Sequence, residues 1–503
     1  MLQAVWSRLR RRQSILPARD MFDADLDRAR RKQGCALCRL VQEHDQQAMH
    51  SFLWEYCTDP HIGMKISRSW EFCPYHTWSL AILEHERMGD GLGITIVYQA
   101  LLRQLRGFLS SGHQAKKQSI SPVLPGGPEV GSTNCRFCQS VQREESLFLS
   151  RLVKRFQQVI SSDGDRDWSP LQTALCLPHM EQFLQTYAKE GAVTSSHRYT
   201  LGQSNRNVSA EAFRQREMET LAANLSHYTL QRVTELSHQV QATQLDWGQV
   251  AQSLALLVGD REALPVLIRT STQRTTPRQL LLSTRLRSHL QSPSNDACPV
   301  CSAEASACIK RCLHIFESSA FLSRGSLCLS HHWILAASII LQQRTDRVER
   351  SRSWLEQQLE QQLAALTSAY EDSAFQGEQN CMTCALAVKI GSEVISSIVQ
   401  GLRQDNGEST TTKNRLLCLY HWRQAYESCS SEPDTLTLQK RLLHQQQQHL
   451  TELDRRVEAY LARFNAARRE RGEVPDIPEA AWAWERLLAF FVGEPALAYR
   501  LDG

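Results

Sequence analysis

The amino-acid sequence predicts an all-α fold, and three observations predict it. Apolar residues recur at three- and four-residue spacing through long stretches. Alternating runs of the β type are scarce. Two prolines, Pro74 and Pro178, stand where the first turn of a helix tolerates a missing N–H. At 503 residues the chain exceeds one compact core, so two to four domains are expected. Apolar residues make up 42%, enough to fill such cores, and Lys+Arg exceeds Asp+Glu by only 57 − 53 = 4. That balance does not suggest a wholesale nucleic-acid binder. No run of about 18 apolar residues suggests a membrane span. The arginine-bearing start "MLQAVWSRLRRRQSILPARD" lacks the apolar core of an export signal, so a cytoplasmic location is expected.

The elements follow in chain order. "CALC" at 35–38 leads into the helical pattern "VQEHDQQAMHSFLWEY". "FCPYH" at 72–76 opens a second helix, because Pro74 directly follows Cys73. A break at 111–134, rich in Gly, Ser and Pro, precedes "CRFC" at 135–138 and the helix "VQREESLFLSRLVKRFQQV". "LCLPH" at 175–179 opens another, with Pro178 two residues after Cys176, and a polar break is expected near 191–207. A third break covers 265–296. From Ala263 to Asn295 it has no acid but five arginines: Arg269, Arg274, Arg278, Arg285 and Arg287. That composition reads as a solvated basic linker, with a binding arm for an acidic partner as the alternative. "CPVC" at 298–301, "LCLSHH" at 327–332, "CMTC" at 381–384 and "LCLYH" at 417–421 repeat the earlier theme. "LEQQLEQQLAALTSAY" lies between the second and third of these. The stretch "LTLQKRLLHQQQQHLTELDRRVEAYLARFNAARRER" reads as one long amphipathic helix, its Gln run punctuated by Leu, Val, Tyr and Phe.

A larger repeat frames these pieces. "DWGQVAQSLALLVGD" (246–260) resembles "AWAWERLLAFFVGEP" (481–495) in placing a tryptophan, an apolar helix, then Val-Gly and an acid. The chain therefore reads as a tandem duplication, 1–265 and 266–503, the first half subdivided near 111–134.

The chemistry lies in the repeated C-x-x-C … C-x-x-H pattern. It takes up twelve of the sixteen cysteines, and in a chain without an export signal these point away from disulfides. Three thiolates and one imidazole fill the tetrahedral shell of structural Zn²⁺. Read in sequence order, the four sites are Cys35, Cys38, Cys73 and His76; Cys135, Cys138, Cys176 and His179; Cys298, Cys301, Cys328 and His331; and Cys381, Cys384, Cys418 and His421. The gaps of 34, 37, 26 and 33 residues between half-motifs let a helix leave and the chain return to the same metal. Each zinc would staple the starts of two helices, about four zinc ions per chain. A helix N-terminus also favours thiolate over thiol. His332 is an alternative to His331. An iron–sulfur cluster, which favours four cysteines, is the lesser reading. Cys308 and Cys312, four apart on one helix face, read as small core residues or alternatively as a redox pair; Cys57 and Cys429 read as packing residues.

"CALC", "FCPYH", "GDGLGITIVYQALLRQL" (89–105) and the Trp-helix-Val-Gly ending resemble an uncharacterised bacterial family known as a domain of unknown function. The resemblance covers most of the chain twice, although the third repeat lacks the Gly-rich segment. It implies a helical, metal-liganding architecture and no established activity.

The function expected is a non-enzymatic helical scaffold that binds proteins or itself and no membrane. A Cys₃His shell leaves no open position for water or substrate, as catalytic zinc requires. No H-E-x-x-H, G-x-S-x-G or phosphate-binding glycine loop occurs. The His179/Glu181 pair does not reproduce the deaminase order, because Cys176 precedes the histidine. The alternatives are a nucleic-acid-binding regulator using Arg8, Arg10, Arg11, Arg12, Arg28, Arg30, Arg31 and Lys32, or a zinc-thiolate redox sensor.

Overall fold

The computed structural model describes residues 21–30, 35–56, 72–88, 91–110, 135–161, 175–198, 298–317, 381–404, 417–431, 434–471 and 483–492, with single residues at 59, 61, 66 and 357. Among these there is no strand. The first half contributes α1 (Met21–Arg30), α2 (Ala36–Ser51), α3 (Pro74–Met88), α4 (Leu92–Ser110), α5 (Arg136–Ser161) and α6 (Leu177–Arg198). The second contributes α7 (Pro299–Glu317), α8 (Met382–Gln404), α9 (Leu419–Ser428), α10 (Thr435–Ala462), the short α11 (Ala466–Glu470) and α12 (Ala483–Val492).

Two expectations are corrected here. Over 191–198 the predicted break is helix instead, because α6 continues to Arg198, and 199–207 lie outside the described residues. The predicted single helix over 436–471 divides: α10 closes with turns from Phe464 and Asn465 back to Leu461 and Ala462, and α11 follows. The linker at 265–296, the break at 111–134, the "DWGQV" repeat, "LEQQLEQQL" apart from Gln357, Cys57, Cys328, His331, His332, Arg31, Lys32 and the arginines at 8–12 lie outside the described residues.

Every described half-motif starts its helix in one way. The carbonyls of Cys35, Cys73, Cys135, Cys176, Cys298, Cys381 and Cys418 each accept the N–H four residues on, at 2.8–3.2 Å. The first cysteine is thus the N-cap, and the second ligand of each half-motif is the third residue of the first turn. The cap residues Cys35 (φ −74°, ψ 123°) and Cys418 (φ −63°, ψ 159°) have the extended backbone a cap needs. The Cys73 sulfur also accepts the His76 N–H at 3.5 Å, the part a Ser or Asp hydroxyl or carboxylate oxygen plays at ordinary caps.

The helices then pair antiparallel. His44 Nε2 of α2 meets Ser140 Oγ of α5 at 2.9 Å, and the start of each helix lies beside the third turn of the other. In the second half α7 and α8 pack in the same sense, with Cys308 near Thr383 and Glu304 over Gly391. The helix Met382–Arg403 is long and apolar enough to cross a membrane by length and composition, with mean hydropathy 1.5. It nonetheless carries Lys389 and Glu393, and a stripe through Thr383, Ala387, Ile395 and Val399 is buried against its neighbours.

The two halves meet through α10 and α12, which pack on α4 and α3. Tyr460 Oη accepts the Gly91 N–H at 3.1 Å, Gln447 Nε2 donates to the Leu109 carbonyl at 2.7 Å, and Arg103 pairs with Glu458 at 3.0 Å. Arg106 pairs with the buried Asp454. At Gly91 the indole of Trp484 lies 3.1 Å from where a Cβ would sit, so the Gly-rich turn of the first half and the Trp helix of the second are complementary surfaces. Glu84 completes the turn: its carboxylate accepts the Gly93 and Ile94 N–H groups at the start of α4. Phe156, Phe183, Trp422, Phe490 and Phe491 are among the fully buried side chains. Each contributes roughly 1.5–3 kcal/mol by burial.

Candidate metal centres

Among the described residues, three clusters of three sulfurs and one imidazole lie within this helical frame. They are not paired in sequence order. Cys35 and Cys38 meet Cys176 and His179; Cys73 and His76 meet Cys135 and Cys138; Cys298 and Cys301 meet Cys418 and His421. The first C-x-x-C of a half takes the second C-x-x-H, and within the first half the remaining two half-motifs combine. The expected partners of Cys135 and Cys138 were Cys176 and His179, and that pairing is corrected, as is the pairing of Cys35 and Cys38 with Cys73 and His76. Cys418 and His421 likewise belong with Cys298 and Cys301 instead of Cys381 and Cys384. Cys381 is buried and Cys384 half-buried at the start of α8; Cys328 and His331, expected to complete the site of Cys298 and Cys301, lie outside the described residues.

The reason is the antiparallel pairing. The chain re-enters at Cys73 beside Asp45, seven residues into α2 past Cys38 and therefore about 10 Å short of that helix's start. At that level the antiparallel α5 begins, so the thiolates within reach of His76 are Cys135 and Cys138. Gap length alone permits either pairing.

The spacing of the donors fits one ion. His179 Nδ1 lies 3.3, 3.3 and 3.2 Å from the sulfurs of Cys35, Cys38 and Cys176, and Cys38 and Cys176 sulfurs are 3.6 Å apart. His76 Nδ1 lies 3.2, 3.4 and 3.3 Å from Cys73, Cys135 and Cys138. His421 Nδ1 lies 3.5, 3.3 and 3.2 Å from Cys298, Cys301 and Cys418. A tetrahedron with Zn–S of about 2.3 Å and Zn–N of about 2.05 Å has S···S edges near ~3.8 Å and S···N edges near ~3.5 Å. Sulfurs 3.6 Å apart are far beyond disulfide length.

Behind each histidine stands a buried acid that the sequence reading missed. His179 Nε2 donates to Glu145 Oε1 at 2.9 Å and His76 Nε2 to Asp45 Oδ1 at 3.2 Å; His421 Nε2 lies 3.3 Å from Glu304 Oε2. The third contact is an ion-pair approach without a well-aligned N–H. A carboxylate at Nε2 fixes the proton there and leaves the Nδ1 lone pair for a cation. Two of these acids could have been found: Asp45 and Glu145 both stand seven residues after the second cysteine of a C-x-x-C. Glu181, weighed against His179 in the sequence, is not the acid on its ring.

Electrostatics within the clusters favour a cation. Burial pushes the Cys35 thiol up, but hydrogen bonds from Cys176 and Cys38 and the neighbouring His179 hold it well below its ordinary value. Hydrogen bonds from Cys138 and Cys73 do the same for Cys135, against burial. The thiolate so formed raises Cys73, and burial together with Cys35 pushes Cys176 up to about 11. Burial pushes His76 down, but Asp45 and the Cys135 and Cys138 sulfurs outweigh it and raise the imidazole well above its usual range. His179 and His421 are raised likewise, against burial, by the charges of Cys176 and Cys418 first. A thiolate beside an imidazolium is what such a donor set adopts with protons in place of metal, so metal binding displaces protons.

Cys308 and Cys312 belong to none of the three clusters. Both are buried on α7, and burial first, then Cys308, raises the Cys312 thiol, so it holds its proton more tightly than an ordinary thiol. Cys429 is buried just after α9.

No curated protein and no solved structure matches the chain. Residues 14–236, the stretch that carries the first two clusters and the acids behind them, match the Family of unknown function DUF6062, and that is the family the first half resembles.

Proposed function

We propose that this chain is a non-enzymatic zinc-binding helical scaffold whose Cys₃His centres hold helix starts together so that its outer surfaces can bind other proteins. The observation that carries this reading is the donor set itself: three buried clusters, each with four protein ligands and an acid behind the histidine. Four protein ligands complete a tetrahedral zinc and leave no position for a reacting group, and soft thiolates favour zinc over the hard cations. When bound, the metal would supply cross-linking; Cys35, Cys38, Cys176 and His179 would tie α2 to α6, Cys73, His76, Cys135 and Cys138 would tie α3 to α5, and Cys298, Cys301, Cys418 and His421 would tie α7 to α9. The test is metal analysis by mass spectrometry on protein purified without added metal. Three to four zinc per chain, with thiols unreactive until a chelator is added, is expected; iron, or free thiols in the purified chain, would sink the proposal.

A zinc-thiolate redox sensor is the second reading, and Cys138 favours it: this ligand is only half-buried in an otherwise buried cluster. Zinc release by mild peroxide, starting at that centre, separates it from an inert staple.

A further inference from the structure

The second half does not repeat the acid placement of the first. In the first half each C-x-x-C helix gives its thiolates to one centre and, seven residues on, its acid to the other: Asp45 after Cys38, Glu145 after Cys138. The corresponding residues of the second half are Cys308 after Cys301 and Gly391 after Cys384. Neither is an acid. The carboxylate at His421 is instead Glu304, three residues after Cys301 and on the helix that supplies the thiolates. It is 3% exposed, with Oε2 3.3 Å from His421 Nε2. Its other oxygen lies over Gly391. A methyl built there would overlap Oε1 and stand 3.1 Å from Cδ and 3.5 Å from Cγ.

We propose that Gly391 is a positioning residue for the Cys298–Cys301–Cys418–His421 centre: by presenting no side chain it admits Glu304, which orients His421 in place of an acid from α8. The proposal rests on the reading of these clusters as metal centres. The crowding is specific, because α7 and α8 pack antiparallel and Gly391 sits at the level where Glu145 of α5 meets His179 in the first half. Glycine within a helix is otherwise unfavourable, and alanine would ordinarily strengthen α8. A loss on adding the methyl therefore runs against helix propensity and reports the crowding.

The experiment uses the full chain loaded with Zn²⁺, or with Co²⁺ for its thiolate charge-transfer band, titrated against a chromophoric chelator. Gly391→Ala should weaken one metal equivalent by roughly 10–100-fold and leave the others unchanged. In a Glu304→Ala background, where the methyl has room, adding Gly391→Ala should change that equivalent by less than about threefold. Glu304→Ala with Gly391→Glu rebuilds the first-half arrangement and should recover affinity relative to Glu304→Ala alone. Should Gly391→Ala prevent folding, a folded Glu304→Ala/Gly391→Ala chain supports the overlap. An unchanged affinity in Gly391→Ala, or an equal loss with and without Glu304, overturns the proposal while leaving the metal centres standing. A wild-type chain that takes up neither ion overturns the reading beneath it.

Discussion

The two centres of the first half share one pair of helices and one donor set, yet they are enclosed differently. Around Cys35, Cys38, Cys176 and His179 all four ligands are buried; around Cys73, His76, Cys135 and Cys138 one ligand, Cys138, is half-buried. The second is wrapped by rings instead. Phe137 stacks near His76 at 5.4 Å and on Phe72 at 5.4 Å, Phe52 meets Phe72 edge-on at 5.2 Å, and Tyr75 stands edge-on to His76 at 4.8 Å. The two sites are also wired to each other, since α2 holds the thiolates of one and the acid of the other, and α5 does the reverse. The difference teaches that one donor set can be enclosed in two ways, by burial of all four residues or by aromatic rings around a cluster with one half-buried cysteine.

The largest expected effect tests the pairing. Cys35→Ser with Cys176→Ser strikes one centre and should cost one metal equivalent; Cys35→Ser with Cys73→Ser strikes two and should cost two. Pairing in sequence order gives the opposite counts. Losing a structural metal should lower unfolding stability by more than about 4 kcal/mol, read by denaturant titration of the loaded chain. Smaller, and specific to the crossed wiring, is the effect of the acids. Asp45→Ala lies on the helix of Cys35 and Cys38 but should weaken the other centre, by roughly 10–100-fold, and Glu145→Ala should do the converse. Site-resolved Co²⁺ spectra in chains carrying only one intact centre would distinguish these; an effect confined to each acid's own helix breaks the comparison.

Enclosure predicts order of release. Protons compete with metal for thiolates and for the Nδ1 lone pair, so affinity falls as pH falls. The centre with Cys138 should empty first on acidification, and first under a thiol reagent, because Cys138 is the one residue of the two first-half clusters that is only half-buried. Metal leaving both first-half centres at the same pH and rate would remove the distinction drawn from burial.

Much of this could be read in the sequence and some could not, for physical reasons. The helix starts were legible because Cys73-Pro74 and Cys176-Leu177-Pro178 obey local backbone rules. That Cys and His of these half-motifs could gather into metal-capable groups was legible for the three described clusters, because the donors are local to C-x-x-C and C-x-x-H. Which half-motifs combine was not, because every C-x-x-H offers the same donors and only the antiparallel packing of α2 on α5 selects among them. The acids were partly legible: the seven-residue offset recurs at Asp45 and Glu145 but fails at Cys308 and Gly391. The docking of Trp484 on Gly91 joins residues almost four hundred apart, and no local pattern announces it.

The smallest effect concerns an acid that serves no centre and so calibrates those that do. Glu452 on α10 is held down to about 2 by hydrogen bonds from Arg455, against slight burial, and by Arg456, at 2.6–2.8 Å. Its folded value lies below the ordinary 4.5, so its contribution is full above that value and is lost as pH falls toward 2. The pair is exposed and screened by solvent, so Glu452→Gln should cost no more than about 0.5 kcal/mol at pH 7 and nothing near pH 2, with metal affinity unchanged at every centre. The ion pair at Glu452 is as short as the contacts made by Asp45 and Glu145. If its removal loosened a metal as much as theirs, proximity of an acid to any charged partner would suffice, and the specific role assigned to an acid behind a ligating histidine would fall.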